Sequence, residues 1–311
     1  MSTNASSVLI AHEHIGFLAS KLAERYQVFK AWEPISQSAR QEITAMIVAG
    51  EVALPNEFVT SFPNLRLIAC FTTGYDGVDV AWAASHGIEV THAVGANNED
   101  VADHALGLLI AWQRDIIKGD HLVRTGGWDP KVKNITRSLE GLSVGIVGMG
   151  AIGRAIADRC IPFRMNVQWW GPRAKPEVPF ERANDLTSLA ASSDVLVIAS
   201  RAESTNRHMI DRSILEALGP EGLLINVARG SLLDEEALID ALRSYRVAGA
   251  ALDVFENEPT EPGRWHDVPN VILTPHTAGA TKSVLPKLIG QLQSNLDAYF
   301  AGESLVTPIA A

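Results

Sequence analysis

The sequence contains few cysteines, no cluster of basic residues and no long apolar run, and each absence argues against a class of protein. Two cysteines in 311 residues are too few for a disulfide framework and favour a reducing compartment. Acidic residues outnumber basic ones by 36 to 26, and the net charge of −10 argues against nucleic acid or an anionic membrane as a partner. No apolar segment is long enough to cross a bilayer, and residues 1–7 lack the regions of a signal peptide. We therefore expect a soluble cytoplasmic protein.

Short apolar runs that are typical of buried parallel strands alternate with helical patterns along most of the chain. The length is enough for two domains, and a hydrophobic content of 47% is enough for two cores. The alternation predicts an α/β protein with parallel sheets. A helix is expected at residues 15–25. The candidate strands of the first series are residues 8–10, 45–48, 67–70 and 88–90, and those of the second series are residues 144–147, 167–170, 195–198, 223–226, 248–252 and 271–273.

A glycine-rich run, GMGAIG at residues 148–153, connects the first strand of the second series to a helical pattern at residues 151–164. Strand, glycine turn and helix together form the dinucleotide-binding fingerprint. Gly148 permits the turn, Gly150 lets the backbone approach a pyrophosphate, and Gly153 lets the helix pack closely on the strand. A glycine turn without function is the alternative, but the strand and the helix around it favour a bound cofactor.

Two long helical patterns, at residues 100–124 and 281–300, separate the two series of strands and close the chain. Helices at these two positions would let the chain leave the first domain and later return to it. We expect a discontinuous first domain, residues 1–98 with 288–311, and a second domain of residues 99–287. The predicted fold is therefore α/β, with two doubly wound parallel-sheet domains and a Rossmann domain inserted into a flavodoxin-like domain.

Three polar motifs follow strands of the second series, at the sheet edge where ligands bind in open α/β folds. They are NVARG at residues 226–230, DVFENEP at residues 253–259 and TPHTAG at residues 274–279. Hydride reduction of a keto acid needs a cation for the carboxylate and carbonyl, a proton donor, and a group that orients the donor. Arg229, His276 and Glu258 are the candidates, although each of them alone is more often an ordinary surface or loop residue.

In order and spacing these motifs resemble those of the D-isomer-specific 2-hydroxyacid dehydrogenases, and the resemblance covers nearly the whole chain. It implies that His276 donates the proton in reduction, that Glu258 pairs with the other ring nitrogen, and that Arg229 binds and polarises the keto acid. It also implies that the first domain binds the substrate and that the second domain binds a nicotinamide cofactor.

The resemblance extends to the loop TTGYDGVD at residues 72–79 of the first domain. It implies that backbone N–H groups of Thr73 and Gly74 hold the substrate carboxylate, and that Leu54 forms a wall of the substrate pocket. A plain strand-to-helix turn is the alternative for this loop. Beyond the glycine turn, the cofactor contacts implied are Ala151, Ile152, Ser200, Thr205, Val227, Ala228, Arg229, Asp253, His276 and Gly279.

The segment after the second strand of the second series indicates which nicotinamide cofactor is used. Gly171 stands where NAD-specific folds place an acidic residue that binds the ribose. Arg173 and Lys175 lie just beyond it and offer cations to a 2′-phosphate, although Pro172 places the arginine one position later than in the usual NADP pattern. We therefore expect NADPH rather than NADH. No metal site is predicted, because the only candidate cluster, HEH at residues 12–14, has no further ligands at recognisable spacing.

Together with its compact length, the NADP-like segment looks most like that of glyoxylate/hydroxypyruvate reductases. The function expected is therefore NADPH-dependent reduction of a small 2-keto acid to the D-2-hydroxy acid, in a homodimer. Trp128 lies in a segment that often mediates dimer contacts in this family, and a surface-loop tryptophan is the alternative. A cofactor-sensing corepressor with little turnover is the alternative function, and the intact set of Arg229, Glu258 and His276 argues against it.

Overall fold

Two parallel β-sheets flanked by helices make up the computed structural model, which describes residues 6–310. The chain divides into two units: unit 1 is Met1–Ala96 with Lys282–Ala311, and unit 2 is Asn97–Thr281. The domain boundaries expected from the sequence are residues 98/99 and 287/288, and the binding roles of the two domains stay predictions. The expected lack of a signal peptide in residues 1–7 lies almost wholly outside the described residues.

Unit 1 is built on a five-stranded sheet with the order β2-β1-β3-β4-β5, in which all pairs are parallel. This is the flavodoxin-like order that the sequence predicts. The strands are β1 (Ser7–Ile10), β2 (Gln27–Lys30), β3 (Ile43–Val48), β4 (Leu67–Cys70) and β5 (Glu89–Thr91). The helices of unit 1 are α1 (Leu18–Leu22), α2 (Gln37–Glu42), α3 (Asn56–Thr60), α4 (Val80–Ser85) and, at the end of the chain, α11 (Val284–Ala301).

The C-terminal helix α11 completes the core of unit 1. Leu292 and Leu296 are buried against Val8 and Ile47, which lie on one face of the sheet. Because β1 and β3 are covered by apolar side chains on both faces, their sequences are nearly continuous apolar runs, as is typical of buried parallel strands. The chain therefore returns to its first domain at the end, as the sequence predicts.

Unit 2 is built on a seven-stranded parallel sheet with the order β12-β11-β10-β9-β6-β7-β8. Its strands are β6 (Ser143–Val147), β7 (Asn166–Trp170), β8 (Glu181–Arg182), β9 (Val195–Ile198), β10 (Leu223–Asn226), β11 (Gly249–Leu252) and β12 (Val271–Leu273). Its helices are α5 (Asn98–Gln113), α6 (Ile116–Arg124), α7 (Ala151–Cys160), α8 (Leu186–Ala191), α9 (Arg212–Leu218) and α10 (Glu235–Arg243). Without its edge strand β12, this is the Rossmann order.

Aspartates at the ends of three loops fix where helices of unit 2 begin. Each aspartate precedes its helix, and its carboxylate accepts a hydrogen bond from a backbone N–H of the first turn. A side-chain cap of this kind stabilises a helix by about 1 kcal/mol. The capping residues are Asp185 for α8, Asp211 for α9 and Asp234 for α10. These three loops leave the C-terminal ends of β8, β9 and β10, and the loops after β9 and β10 are the ones that carry predicted site residues.

Several elements differ from those expected. The helix expected at residues 151–164 ends at Cys160 and is followed by a 3₁₀ turn, Ile161–Phe163. The helix expected at residues 100–124 is two helices, because Asp115 adopts a left-handed conformation with φ of +50° and ends the run. The helix expected at residues 15–25 is a 3₁₀ turn, Glu13–Ile15, followed by the short α1. Strands β2 and β8 are additional edge strands whose sequences QVFK and ER carry no apolar run.

None of the helices in residues 6–310 combines the length and apolar character that a bilayer span requires.

Candidate active site

The glycine turn lies between β6 and α7, where the strand order of unit 2 reverses. Gly148 has a φ of +95°, and a Cβ there would lie 2.5 Å from the Cα of Ser200, so only glycine fits. A Cβ on Gly153 would lie 2.0 Å from the carbonyl oxygen of Gly148, because helix and strand approach closely. At Gly150, in contrast, a Cβ would meet no described atom within 4 Å. The backbone is therefore accessible only at the middle glycine.

Helix α7 begins directly after Gly150, with Ala151 and Ile152 in its first turn. No side chain caps this end of the ten-residue helix, so its first N–H groups stay available and the helix dipole is unopposed. An anion fits such a helix end, and the open space beside Gly150 lets it approach the backbone. The residues present therefore fit the pyrophosphate of a dinucleotide.

Cations surround the end of β7, where the ribose of a dinucleotide would lie. The Nζ atom of Lys175 donates a hydrogen bond of 2.8 Å to the carbonyl oxygen of Met149 in the glycine turn. Arg182, on the edge strand β8, donates from its guanidinium to the carbonyl oxygen of Gly171 at 2.7 Å. Arg173 is exposed. Arg173, Lys175 and Arg182 are thus three cations near this strand end, and positions 171–175 contain no carboxylate.

The other predicted cofactor contacts follow the C-terminal ends of β9 to β12. Since parallel strands have their C-terminal ends at one edge of the sheet, these residues lie along the edge that carries the glycine turn. Ser200 follows β9, Thr205 lies in the 3₁₀ turn Ser204–Asn206, Val227 and Ala228 follow β10, Asp253 follows β11, and Gly279 lies in the turn after β12.

The turn that carries Arg229 is fixed by the fully buried side chain of Asn226. The Nδ2 atom of Asn226 donates to the carbonyl oxygen of Arg229, and its Oδ1 atom accepts from the N–H of Ala228, both at 3.0 Å. The next residue, Gly230, touches the neighbouring loop: a Cβ there would lie 1.8 Å from the carbonyl carbon of Phe255. The Arg229 turn and the loop of Glu258 are therefore in direct backbone contact.

Glu258 and His276 form a close pair. The Nδ1 atom of His276 donates to the Oε2 atom of Glu258 at 2.6 Å, and the other carboxylate oxygen accepts from the N–H of Phe255 at 2.9 Å. Both oxygens of Glu258 are therefore held, and the histidine ring has one orientation. The side chain of His276 is 37% exposed, so the ring is partly accessible from solvent.

The two members of this pair shift each other's pKa. The hydrogen bond to Glu258 raises the pKa of His276 above its ordinary value of 6.5, although burial and the charge of Arg229 oppose this. Burial opposes ionisation of Glu258, but the hydrogen bonds from His276 and from Phe255 outweigh it and lower the pKa of that carboxyl. The pair therefore favours a protonated ring beside a charged carboxylate, which is the state required of a proton donor.

In unit 1, the loop of Thr73 and Gly74 is tied to the loop after β3. The hydroxyl of Thr72 accepts from the N–H of Gly50 at 2.9 Å and donates to Glu51 at 2.5 Å, and His92 donates to the carbonyl oxygen of Thr73 at 2.9 Å. A Cβ on Gly50 would lie 2.2 Å from the carbonyl oxygen of Gly74. These contacts hold Thr73 and Gly74 in one conformation, and their carboxylate-binding role stays a prediction.

Leu54, the predicted wall of the substrate pocket, is buried in the core of unit 1 among side chains that include Phe58 and Val78. Its backbone N–H donates to the carbonyl oxygen of Gly77 at 2.9 Å, which joins it to the loop after β4. Its pocket role also stays a prediction.

Sequence reasoning missed three residues that shape the site: Arg182, Asn226 and Glu235. Glu235 is buried, accepts from the N–H of Glu256 at 2.6 Å and pairs with Arg264 at 3.0 Å, so it anchors the loop that carries Glu258. A polar asparagine at the end of a buried apolar strand, as at Asn226, is a sequence signal for a structural role. Glu235 at the start of a helix gives no such signal, because acidic residues are common at helix starts.

Comparison with known proteins agrees with this geometry. The sequence model of the NAD-binding domain of D-isomer specific 2-hydroxyacid dehydrogenases matches residues 106–278. Glyoxylate/hydroxypyruvate reductase A of Arabidopsis thaliana is 35% identical over 298 residues, which cover 94% of this chain and 95% of that protein. 2-Ketogluconate reductase of Gluconobacter oxydans is 38% identical over 267 residues, which cover 86% of each chain.

Solved structures give the same result. An NADPH-dependent glyoxylate/hydroxypyruvate reductase of Sinorhizobium meliloti, in complex with NADP and malonate, is similar with a TM-score of 0.90 and 33% identity, over 98% of this chain and 97% of that one. The family model covers more than half of the chain, and the relatives cover most of it. The resemblance stated from the motifs is confirmed: the chain belongs to the D-isomer-specific 2-hydroxyacid dehydrogenase family and is an NAD(P)-dependent oxidoreductase.

Proposed function

We propose that this enzyme reduces a small 2-keto acid of the glyoxylate/hydroxypyruvate type to the D-2-hydroxy acid with NADPH. The observation that carries the proposal is the 2.6 Å contact between Nδ1 of His276 and Oε2 of Glu258, with the positive charge of Arg229 close enough to act on both. All three lie in unit 2, on loops at the sheet edge that carries the glycine turn.

In this mechanism NADPH supplies the hydride when it is bound. Because Nδ1 of His276 donates to Glu258, the other ring nitrogen is the one that gives its proton to the developing alkoxide. Glu258 stabilises the charged ring and keeps it in one orientation. The guanidinium of Arg229 binds the substrate carboxylate and polarises the carbonyl group. After the transfer, the neutral ring of His276 regains a proton from solvent.

A substrate panel tests the proposal. NADPH oxidation is measured with glyoxylate, hydroxypyruvate and 2-ketogluconate, since relatives are named for these acids. We expect turnover with glyoxylate and hydroxypyruvate. The product of hydroxypyruvate reduction is glycerate, and chiral chromatography should identify it as the D-enantiomer. Tight NADPH binding without turnover on any acid would favour the corepressor alternative instead.

NADPH should be preferred over NADH because Gly171 offers no carboxylate to repel a 2′-phosphate and Arg173 offers a cation. One hydrogen bond to a charged group contributes roughly 1.5–3 kcal/mol, which corresponds to about ten- to a hundredfold in kcat/KM. The ratio of kcat/KM for the two cofactors is measured in the wild type, in Arg173→Ala and, as a control on an exposed helix face, in Arg243→Ala.

Equal efficiencies with both cofactors in the wild type would contradict the NADPH preference. If Arg173→Ala still prefers NADPH, another cation near the 2′-phosphate is responsible for the preference. Lys175, which contacts the glycine turn, and Arg182, which contacts Gly171, are then the next variants to measure.

Glu258→Gln should move the loss of reductase activity to lower pH. Reduction needs the protonated ring of His276, so kcat falls as the pH rises through the pKa of that ring. The hydrogen bond to Glu258 holds this pKa above 6.5, and a neutral amide removes most of that effect. The measurement is kcat over a pH series for the wild type, for Glu258→Gln and for the exposed control Glu261→Gln. A midpoint in Glu258→Gln that equals the wild-type midpoint would contradict this prediction.

A homodimer and the cytoplasm are the proposed assembly and compartment. Large apolar side chains are exposed along α6 and the segment that follows it, among them Trp128 at 62% and Ile135 at 86%, and exposed apolar surface of this kind marks interfaces. Cys70 and Cys160 are both free and buried, which fits a reducing compartment. Light scattering should give twice the chain mass of 33.5 kDa for the wild type and a smaller mass for Ile135→Glu. A wild type of single-chain mass would contradict the dimer.

A further inference from the structure

The backbone of His276 has an unusual conformation that needs support. Its φ is +52°, in the left-handed region that non-glycine residues rarely occupy. A residue is held in such a conformation only when the surrounding structure fixes it, and strain of this kind concentrates at functional sites. The turn at residues 274–278 must therefore be held by contacts from outside itself.

Asp253, at the end of β11, makes these contacts. Its side chain is 1% exposed. Its carbonyl oxygen accepts from the N–H of His276 at 2.8 Å. Its carboxylate accepts from the N–H of Thr277 at 2.9 Å, from the N–H of Ala278 at 2.9 Å and from the hydroxyl of Thr274 at 2.6 Å. One residue thus holds four donors of a single turn, with His276 in its centre.

The contact with Thr274 continues to a second histidine. The Nε2 atom of His104, on α5, lies 3.0 Å from the hydroxyl oxygen of Thr274 and 3.5 Å from Oδ1 of Asp253. The hydroxyl has only one hydrogen, and its 2.6 Å contact with the carboxylate uses it. His104 must therefore donate from Nε2 to the hydroxyl oxygen. A chain of hydrogen bonds runs from His104 through Thr274 and Asp253 to the turn of His276.

We propose that Asp253, Thr274 and His104 are positioning residues that fix the strained turn of His276 and so set the distance of its ring from Glu258. We call these three residues the Asp253 clamp. The proposal rests on the proposed role of His276 as proton donor and deepens it. The family resemblance implies that Asp253 contacts the cofactor, and a residue in that role would affect cofactor affinity. A positioning residue, in contrast, would affect proton transfer and leave cofactor affinity unchanged.

Thr274→Val tests the clamp because valine has the shape of threonine without the hydroxyl. Asp253 then loses one donor and His104 loses its acceptor, while the backbone contacts remain. Small displacements of a reacting group cost up to about a hundredfold in rate, so we expect kcat to fall by about ten- to a hundredfold. The dissociation constant of NADPH, measured from quenching of protein fluorescence, should change less than about twofold, which corresponds to about 0.4 kcal/mol of binding free energy.

The protonation of His276 gives a readout that a merely structural role would not move. The groups that act on its ring are Glu258, Arg229 and Asp253. A ring displaced from Glu258 should titrate at lower pH, both in the pH profile of kcat and in an NMR titration of the cofactor-free protein. The NMR signal is assigned by its absence in His276→Ala. Thr274→Ser keeps the hydroxyl and should restore both the rate and the titration, and Thr187→Val on the exposed face of α8 is the matched control.

His104→Gln provides an independent test if Thr274→Val fails to fold, and the exposed His266→Gln is its control. We expect it to lower kcat and the pKa of His276 in the same direction. Unchanged kcat and unchanged titration in folded Thr274→Val or His104→Gln would overturn the proposal. A weaker NADPH affinity with an unmoved titration would overturn it in favour of the cofactor-contact role. If the wild type reduces no acid at all, the proposed function fails, and the NMR titration still decides the clamp.

Discussion

Replacing His276 with alanine is expected to lower kcat for keto-acid reduction by about 10²- to 10⁴-fold, the usual effect of losing a positioned proton donor. The ring donates from Nδ1 to Glu258 and leaves the other nitrogen for the substrate, and alanine offers neither contact. The measurement is steady-state NADPH oxidation with glyoxylate or hydroxypyruvate at saturating cofactor.

Binding of NADPH to His276→Ala should stay nearly intact, because the glycine turn and the first turn of α7 do not depend on the ring. His266→Ala is a matched control, since the side chain of that histidine is 81% exposed and its ring contacts the neighbouring Asp267. A kcat of His276→Ala within about threefold of the wild-type value would contradict the role of His276 as proton donor.

Replacing Arg229 with lysine is expected to lower kcat/KM for the keto acid by about 10²-fold, with a higher KM and a lower kcat. A guanidinium offers paired hydrogen bonds to a carboxylate, which an ammonium group does not reproduce, and loss of one donor to a developing oxyanion typically costs about 10²- to 10³-fold. The measurement varies the keto acid at fixed, saturating NADPH. Arg243→Lys, on the exposed face of α10, is the control.

The effect of Arg229→Lys should be confined to the acid. A defect only in NADPH affinity, or unchanged kinetics with the acid, would contradict the role of Arg229 in substrate binding. The NADPH dissociation constant of the variant separates the two results.

The sequence predicts the buried part of the fold well and its edges poorly. Strands β4, β9 and β10 have the predicted bounds, because a strand covered on both faces is a continuous apolar run. The edge strand β12 also has the predicted bounds because its sequence, VIL, is apolar although the strand is only partly buried. The edge strands β2 and β8, with the sequences QVFK and ER, are too short in apolar residues to give such a signal. The break between α5 and α6 depends on one left-handed residue, Asp115, and an apolar pattern does not report it.

The candidate site shows the same division. The glycine turn and the pair of Glu258 and His276 follow from motifs in which the residue type itself carries the chemistry. The contacts of Asp253 and Glu235 reach loops that are distant in sequence, and both residue types are common in loops. Their roles are visible only once the strands β10 to β12 are aligned in space.

The lack of space at Gly230 has an energetic consequence. Because the backbone there touches Phe255, the turn of Arg229 and the loop of Glu258 cannot be displaced separately. Substitutions at two positions combine additively only when their surroundings are independent, and residues coupled through a shared backbone shift show interaction energies of about 0.5–3 kcal/mol. Changes at Arg229 and at Glu258 should therefore combine non-additively, so we expect the proposed roles of Arg229 in substrate binding and of Glu258 in proton donation to be energetically coupled.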